Sequence, residues 1–429
     1  MGEAQLIQKH TGVSANSGSG HLLKDQDGAQ NAYRYNYWSS PVQVSSGANT
    51  AAAVLKDGTT PDLWSPASPT YIGGFNGAVG PPIELAAFWF YKYVDGVVDP
   101  YNTEDWIPLF TGTTPNTDAG SLMLPAQGFT MKGVNIAAAY ADAQNYTFTG
   151  KPNDGEYTLP LSANKEYLVG NPYASALDAD EFIDDNAGVI DGTLYYWHHW
   201  GIDTHIYVNY SAGYAEYNQL GGVASTLHPD FSGGTNPGAL AITPKQYIPV
   251  GQGFLVRSEG TLGGDITFNN SQRIFMLEGA NSIPVKNTTA NDVVTARIRL
   301  DYKSPNERIR HLLFGYTETA SDGVDYGWDG KMIDQWSDDL YFTIGKTDEE
   351  LAIPYLIQGV QAYNIDAEYP LVVKTATSGK HTIMIDELEN FNEDIYILDD
   401  KGNTHDLRDS NYIFYSSTNE TERHLKLVF

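Results

Sequence analysis

Four aspartates crowd one short stretch of this sequence. Asp322, Asp325, Asp329 and Asp334 lie in Ser321-Asp-Gly-Val-Asp-Tyr-Gly-Trp-Asp-Gly-Lys-Met-Ile-Asp, a glycine-rich loop whose carboxylates could converge on a hard cation, calcium being the natural one. The acids do not follow the alternating spacing of an EF-hand, and a solvated acidic turn beside Lys331 reads the same way. Asp25-Gln-Asp-Gly is a weaker match, because a loop begun at Asp25 reaches Asn36 where an EF-hand needs its bidentate Glu. His198, His199 and His205 lie in Trp197-His-His-Trp-Gly-Ile-Asp-Thr-His. Adjacent residues of a strand point to opposite faces, so the first two cannot ligate one metal without a bulge. Packing with polar tips is the plainer expectation. Asp178, Asp180, Glu181, Asp184 and Asp185 could include the paired carboxylates of a glycosidase, yet acids at a helix start are equally explained by the helix dipole and a solvated face. No G-x-S-x-G, H-E-x-x-H, Walker A or G-x-G-x-x-G motif occurs, and Gly330-Lys331 is followed by Met332. The 29 Tyr and 8 Trp allow sugar stacking, but cross-strand packing enriches the same residues.

The elements that must hold these groups are strands. Short β-branched and aromatic runs, punctuated by 42 Gly and 21 Pro, recur along the chain. Val294-Thr-Ala-Arg-Ile-Arg-Leu and His424-Leu-Lys-Leu-Val-Phe alternate apolar with polar residues, as half-buried strands of an antiparallel sandwich do. The expected class is all-β: tandem antiparallel sandwiches, jelly-roll or Ig-like, with one short helix. That helix falls in Ser175-Ala-Leu-Asp-Ala-Asp-Glu-Phe-Ile-Asp-Asp-Asn, capped by Ser175. A second helical turn is expected over Ile385-Asp-Glu-Leu-Glu-Asn-Phe.

The first two-thirds of the chain contains a degenerate repeat. Tyr35-Asn-Tyr-Trp-Ser-Ser-Pro-Val, Phe88-Trp-Phe-Tyr-Lys-Tyr, Leu124-Pro-Ala-Gln-Gly-Phe-Thr-Met-Lys-Gly and Tyr146-Thr-Phe-Thr-Gly-Lys-Pro are followed in the same order by Val169-Gly-Asn-Pro-Tyr-Ala-Ser-Ala-Leu, Leu194-Tyr-Tyr-Trp-His-His-Trp, Ile248-Pro-Val-Gly-Gln-Gly-Phe-Leu-Val and Ile266-Thr-Phe-Asn. Asn36 aligns with Asn171, Gln127 with Gln252 and Phe148 with Phe268. In each Gln-Gly-Phe block the glycine permits close backbone approach. The expected organisation is one repeat unit over 1–155, a second over 156–280, fused with it or separate, a polar linker over 281–292, and a C-terminal sandwich over 293–429. Cutting in the linker is expected to release two folded pieces.

Charge and composition exclude several roles. The 53 Asp plus Glu against 25 Lys plus Arg, a formal −28, repel phosphate backbones and anionic lipid, so neither nucleic acid nor a membrane surface is an expected partner. With no Cys, disulfides, thiolate metal sites and cysteine nucleophiles are ruled out. The most apolar stretch, near Ile83 to Val94, is interrupted by Glu84 and Lys92 and is shorter than the roughly 20 residues of a membrane-spanning helix. The start at Met1 has no signal-peptide pattern, which implies no export or a removed leader.

The repeat blocks, with Gly150-Lys-Pro-Asn-Asp-Gly and Gly192-Thr-Leu-Tyr-Tyr-Trp-His-His-Trp, resemble large surface proteins of Bacteroidota exported by the type IX secretion system. Gly327-Trp-Asp-Gly-Lys, Ile385-Asp-Glu-Leu-Glu-Asn-Phe and the closing Leu425-Lys-Leu-Val-Phe resemble the β-domain that precedes their C-terminal sorting domain, and that sorting domain would follow Phe429. Where the family more often has Asp before His, this chain has His198. The resemblance implies a secreted, outer-membrane-attached protein acting as adhesin, stalk or gliding-associated cargo, with the secretion translocon and attachment components as partners. It supplies no catalytic residues. The expected function is therefore non-enzymatic: an adhesive or structural surface segment. The alternatives are a calcium-supported carbohydrate-binding module that takes extracellular polysaccharide, and a polysaccharide-degrading enzyme.

Overall fold

The computed structural model describes residues 4–61, 63–98, 104–278, 294–345, 347–417 and 421–429. The expected linker, 281–292, lies outside them. The protein is all-β, and its contacts divide it into two compact units: Met1–Tyr210 with Lys245–Lys286, and Ser211–Pro244 with Asn287–Phe429. Both repeat copies thus fall in one unit. Residues 211–244, which the repeat assigned to the second copy, group with the C-terminal strands.

In the first unit the two copies are built alike. In copy one, Leu22–Ala29 pairs with Ala143–Pro152, and Gly128–Lys132 lies between Tyr35–Ser39 and Tyr91–Tyr93. In copy two, Tyr157–Leu161 pairs with Gly264–Phe268, and Gly253–Arg257 lies between Lys165–Gly170 and Leu194–Gly201. Each central strand has period-two alternation. Phe129 and Met131 turn into a core with Trp38, Tyr146 and Phe148, while Gly128, Thr130 and Lys132 face the other way. In copy two Phe254 and Phe268 pack on Phe182 of the helix, ring centroids 5.6 and 4.7 Å apart.

The ladders correct the sequence alignment of the first block. Gly128 pairs with Ser39 and Gly253 with Gly170, so Asn171 answers to Ser40, not to Asn36, and Pro172 answers to Pro41. The copies hold each other reciprocally: the Ser39 amide donates to the Gly251 carbonyl at 2.7 Å and the Gly170 amide to the Ala126 carbonyl at 2.9 Å. A Cβ on Gly128 would sit 2.6 Å from the Leu168 side chain, and one on Gly253 would sit 2.9 Å from the Tyr37 backbone. Glycine is what lets these strands approach.

The expected helix is Ala179–Asp185, but its cap is Asp178, whose carboxylate accepts from the Asp180 amide; Ser175 is buried upstream. A single turn, Ala51–Val54 capped by Thr50, was not expected. The expected turn at Ile385 is instead part of the strand Gly379–Glu389, whose pairing with Val294–Lys303 skips Asp386 as a bulge.

In the second unit, the strands from Val294–Lys303 to Glu422–Val428 form one 11-stranded sheet. Its inner faces share one core that includes Ile298, Leu300, Phe314, Phe342, Leu371, Ile397 and Leu427. The sheet is not wholly antiparallel. Ile309–Thr317 runs parallel to Pro354–Val360, a pairing that needs the long crossover between them. Leu220 and Val223 of the 211–244 segment pack with Leu313, Leu356 and Ile357 in a second core.

Candidate functional site

The four aspartates of the acidic loop do not converge. Asp322 is exposed. Asp325 accepts the Ser321 amide and hydroxyl at 2.6 and 2.7 Å. Asp329 is buried and accepts the Asp325 and Gly359 amides at 2.7 and 2.9 Å; burial pushes its carboxyl up to about 8 against those hydrogen bonds. Asp334 is spent on Arg310, 2.8 Å away, in a buried cluster with Asp339 and Thr226. These acids tie a loop and neutralise an arginine. Among the described residues no group of three or more His, Asp or Glu is placed to hold a metal. The expected calcium ligand set is therefore not assembled.

The acids around the helix are also scaffold. Asp178 caps and accepts from Gln246 at 3.2 Å, while Asp185 accepts from Asn269 and Gln272 at 2.7 and 2.8 Å, fastening the helix to the next turn. Glu181 and Asp184 are exposed. His198 and His199 point to opposite faces of Leu194–Gly201, as adjacent strand residues must. His198 meets the Tyr140 hydroxyl at 2.7 Å, and burial drives its ring down to about 3. His199 lies on the other face and stays neutral for the same reason.

The group that sequence reasoning passed over is Lys132, the last residue of the Gly128–Lys132 strand and only 2 % exposed. Its Nζ lies 3.7 Å from the centre of the Trp89 ring, 4.5 Å from Tyr35 and 4.9 Å from Tyr210. Each wall has a structural reason. Tyr35 is its cross-strand partner. Trp89 ends a 3-10 turn pinned by Thr130, which donates to the Trp89 carbonyl at 2.9 Å. Tyr210 follows the 3-10 turn Tyr207–Asn209. Lys132 donates to the Tyr210 hydroxyl at 2.8 Å and meets His205 Nδ1 at 3.2 Å. Desolvation lowers the lysine to about 6, while the three ring faces around Nζ favour its ammonium form. Tyr210 is raised to about 12, and His205 falls to about 4 through burial and then Lys132.

The repeat shows what is unusual here. Arg257 is the matching residue of copy two, and it faces Glu166 across the ladder with an Nε–Oε1 distance of 2.9 Å. Copy one has Tyr35 in place of that acid. A lysine in an apolar strand, opposite a block with no carboxylate, was the signal available in the sequence.

Outside this box the surface is aromatic. Phe75 and Phe88 are 52 % and 49 % exposed, with rings 4.9 Å apart and nearly perpendicular. Trp89 backs them at 5.8 and 4.7 Å, and donates through Nε1 to the Phe75 carbonyl at 2.7 Å. His205 stacks on Trp89 at 4.9 Å and meets Asn76 Oδ1 at 2.7 Å, while Ile206 and Val208 beyond it are exposed.

These features define an all-β protein whose first unit is a duplicated set of paired strands, with a buried lysine in one copy where the other has an ion pair. The chain matches over residues 1–429 the family described as Domain of unknown function (DUF8693), and it belongs to that family. No curated protein and no solved structure matches it.

Proposed function

We propose that this chain is a non-enzymatic segment of a secreted cell-surface protein, and that its adhesive contact is saccharide stacking on the Phe75–Phe88 face. The carrying observation is that pair of half-exposed rings, set against Trp89 and bordered by the hydrogen-bonding groups of Asn76 and His205. Apolar sugar faces pack on such rings while their hydroxyls use the polar border. The net charge of −28 favours uncharged glycans over acidic ones. Attachment through type IX secretion components rests on the sequence resemblance. The non-enzymatic reading is supported by the acids: those predicted to act are engaged in caps, loop ties and the Arg310 cluster.

Glycan-array binding of the whole protein and of the Phe75→Ala/Phe88→Ala variant, each with and without chelator, tests this. Binding to neutral glycans, unchanged by chelator and at least ~10-fold weaker in the variant, is expected, since each stacked ring contributes on the order of 1 kcal/mol. Undiminished binding by the variant, chelator-sensitive binding, or no binding at all defeats the assignment of this face.

A further inference from the structure

Residues 4–16 lie against the second copy like a bound peptide. None of them is buried and none belongs to a helix or strand, yet polar groups of a groove engage them along their length. The Gln5 carboxamide accepts the Ala176 amide at 3.0 Å and donates to the Met276 carbonyl. The Leu6 amide donates to the Ala174 carbonyl at 2.8 Å, and Arg273 donates to the Leu6 carbonyl. Asp154, its side chain wholly buried, meets His10 Nε2 at 2.8 Å and accepts the Ala15 amide at 2.9 Å. Gly155 has φ of 84°, and a Cβ there would lie 2.5 Å from the Ser14 nitrogen, so the groove is shaped to admit this backbone. The repeat shows what the segment replaces. Counting on from the Pro41–Pro172 match, Gln43 answers to Ala174, and Gln43 is laddered to Lys151 of the long strand Ala143–Pro152. The corresponding strand of copy two, Gly264–Phe268, stops at the residue that answers to Phe148, and Leu6 takes the place beside Ala174.

Without an occupant, buried Asp154 loses its two shortest hydrogen bonds and the Ala174 carbonyl loses its donor, a costly state for groups out of water. The groove therefore needs a segment that carries these partners. What ties residues 4–16 to their own chain is slight. Ser17-Gly-Ser-Gly-His is exposed, and a Cβ on Gly18 or Gly20 would meet nothing within 4 Å. A tether of this composition behaves as a flexible coil. We propose that the groove takes residues 4–16 from a second copy of this chain, so that neighbouring copies are joined by exchanged segments. The same hydrogen bonds form in either arrangement, and the choice is governed by the millimolar effective concentration that a short flexible tether supplies. Copies crowded to that concentration exchange. Reciprocal exchange closes a pair, whereas one-way exchange leaves a segment and a groove open at the two ends and extends into a row of copies.

The chain has no cysteine, so introduced thiols read the exchange directly. Val13 and Glu156 are exposed and close together in the docked state, the Glu156 amide donating to the Gly12 carbonyl at 2.9 Å. Full-length Val13→Cys and Glu156→Cys proteins are mixed at about 0.5 mM, near the effective concentration of the tether, and treated with a short bismaleimide. Any link between positions 13 and 156 then joins two chains. A mixture of Val13→Cys with Ala163→Cys is the collisional reference, Ala163 being exposed beyond the far end of Tyr157–Leu161. Peptide mass spectrometry is expected to show the 13–156 link forming at least ~10-fold faster than the reference link, because docking holds the two thiols well above their bulk concentration. Adding Gln5→Ala and His10→Ala to the Val13→Cys chain should return it to the reference rate. A link that forms no faster than the reference, or one that survives loss of those two side chains, overturns the proposal. Neither result bears on the glycan face, which is read by the Phe75 and Phe88 variant.

Discussion

At the scale of single residues, burial decides more here than residue type. Lys132 in the fold loses its proton near pH 6, whereas the unfolded chain holds it to about 10.4. Between those values unfolding takes up a proton, so higher pH favours the folded state, by at most about 1.4 kcal/mol per pH unit. Below pH 6 both states are protonated and the burial penalty is fully present. Lys132→Met removes this dependence. The stability gap, variant minus wild type, should therefore shift toward the wild type by roughly 1 kcal/mol per unit between pH 7 and pH 9.5 in urea unfolding. Its absolute size also contains the lost Tyr210 and His205 contacts, so the slope is the readout. A gap independent of pH means that the buried amine keeps its proton. Little of this was legible beforehand. The opposed faces of His198 and His199 follow from strand periodicity alone, but the fates of Asp329 and Asp334 depend on Gly359 and Arg310, partners that are remote in sequence.

At the scale of elements the duplication was readable and its register was not. Matching Asn36 to Asn171 favoured identical letters, whereas the ladders match strand positions, where Tyr35 stands for Glu166 and Lys132 for Arg257. Turn chemistry is shared more closely than the letters suggest. Ala126 and Gly251, equivalent residues before each Gln-Gly-Phe, both have left-handed backbones, with φ of 68° and 70°. Only one of them is the residue that tolerates this freely. Gly251→Ala should cost about 1–2 kcal/mol: the conformational term is of that order, and the new Cβ would lie 2.9 Å from the Ser39 carbonyl. Ala126→Gly should change stability by less than about 1 kcal/mol, because relief of strain is offset by the added entropy of the unfolded chain. Thermal unfolding of both variants checks the pair. Equal costs would mean that the two turns are not doing the same job. The helix cap was missed for a related local reason: Ser175 is a good capping residue, but Ala176–Asp178 first forms a strand, leaving Asp178 at the helix start.

At the scale of the whole molecule, the chain order that suggested a self-contained C-terminal sandwich omits one of its parts. Leu220 and Val223 of the 211–244 segment fill the second core of that unit. The Leu220 carbonyl accepts from Arg297, and Thr226 accepts from the wholly buried Arg310 at 2.9 Å. Burying two such side chains contributes about 3–6 kcal/mol, a large share of the 5–15 kcal/mol that typically separates folded from unfolded domains. A fragment covering residues 294–429 alone should accordingly lack a cooperative melt by near-ultraviolet circular dichroism. Joining 211–244 to the same fragment through a flexible Gly-Ser linker should restore one. A cooperative transition in the bare fragment, at or near the temperature of the intact protein, would show that this segment is dispensable and that the C-terminal strands carry their own stability. No local pattern in 211–244 announces its role, since its contacts span 77 residues from Leu220 to Arg297 and 84 from Thr226 to Arg310. Periodicity reports the face a strand buries, and it is silent about which distant segment covers that face.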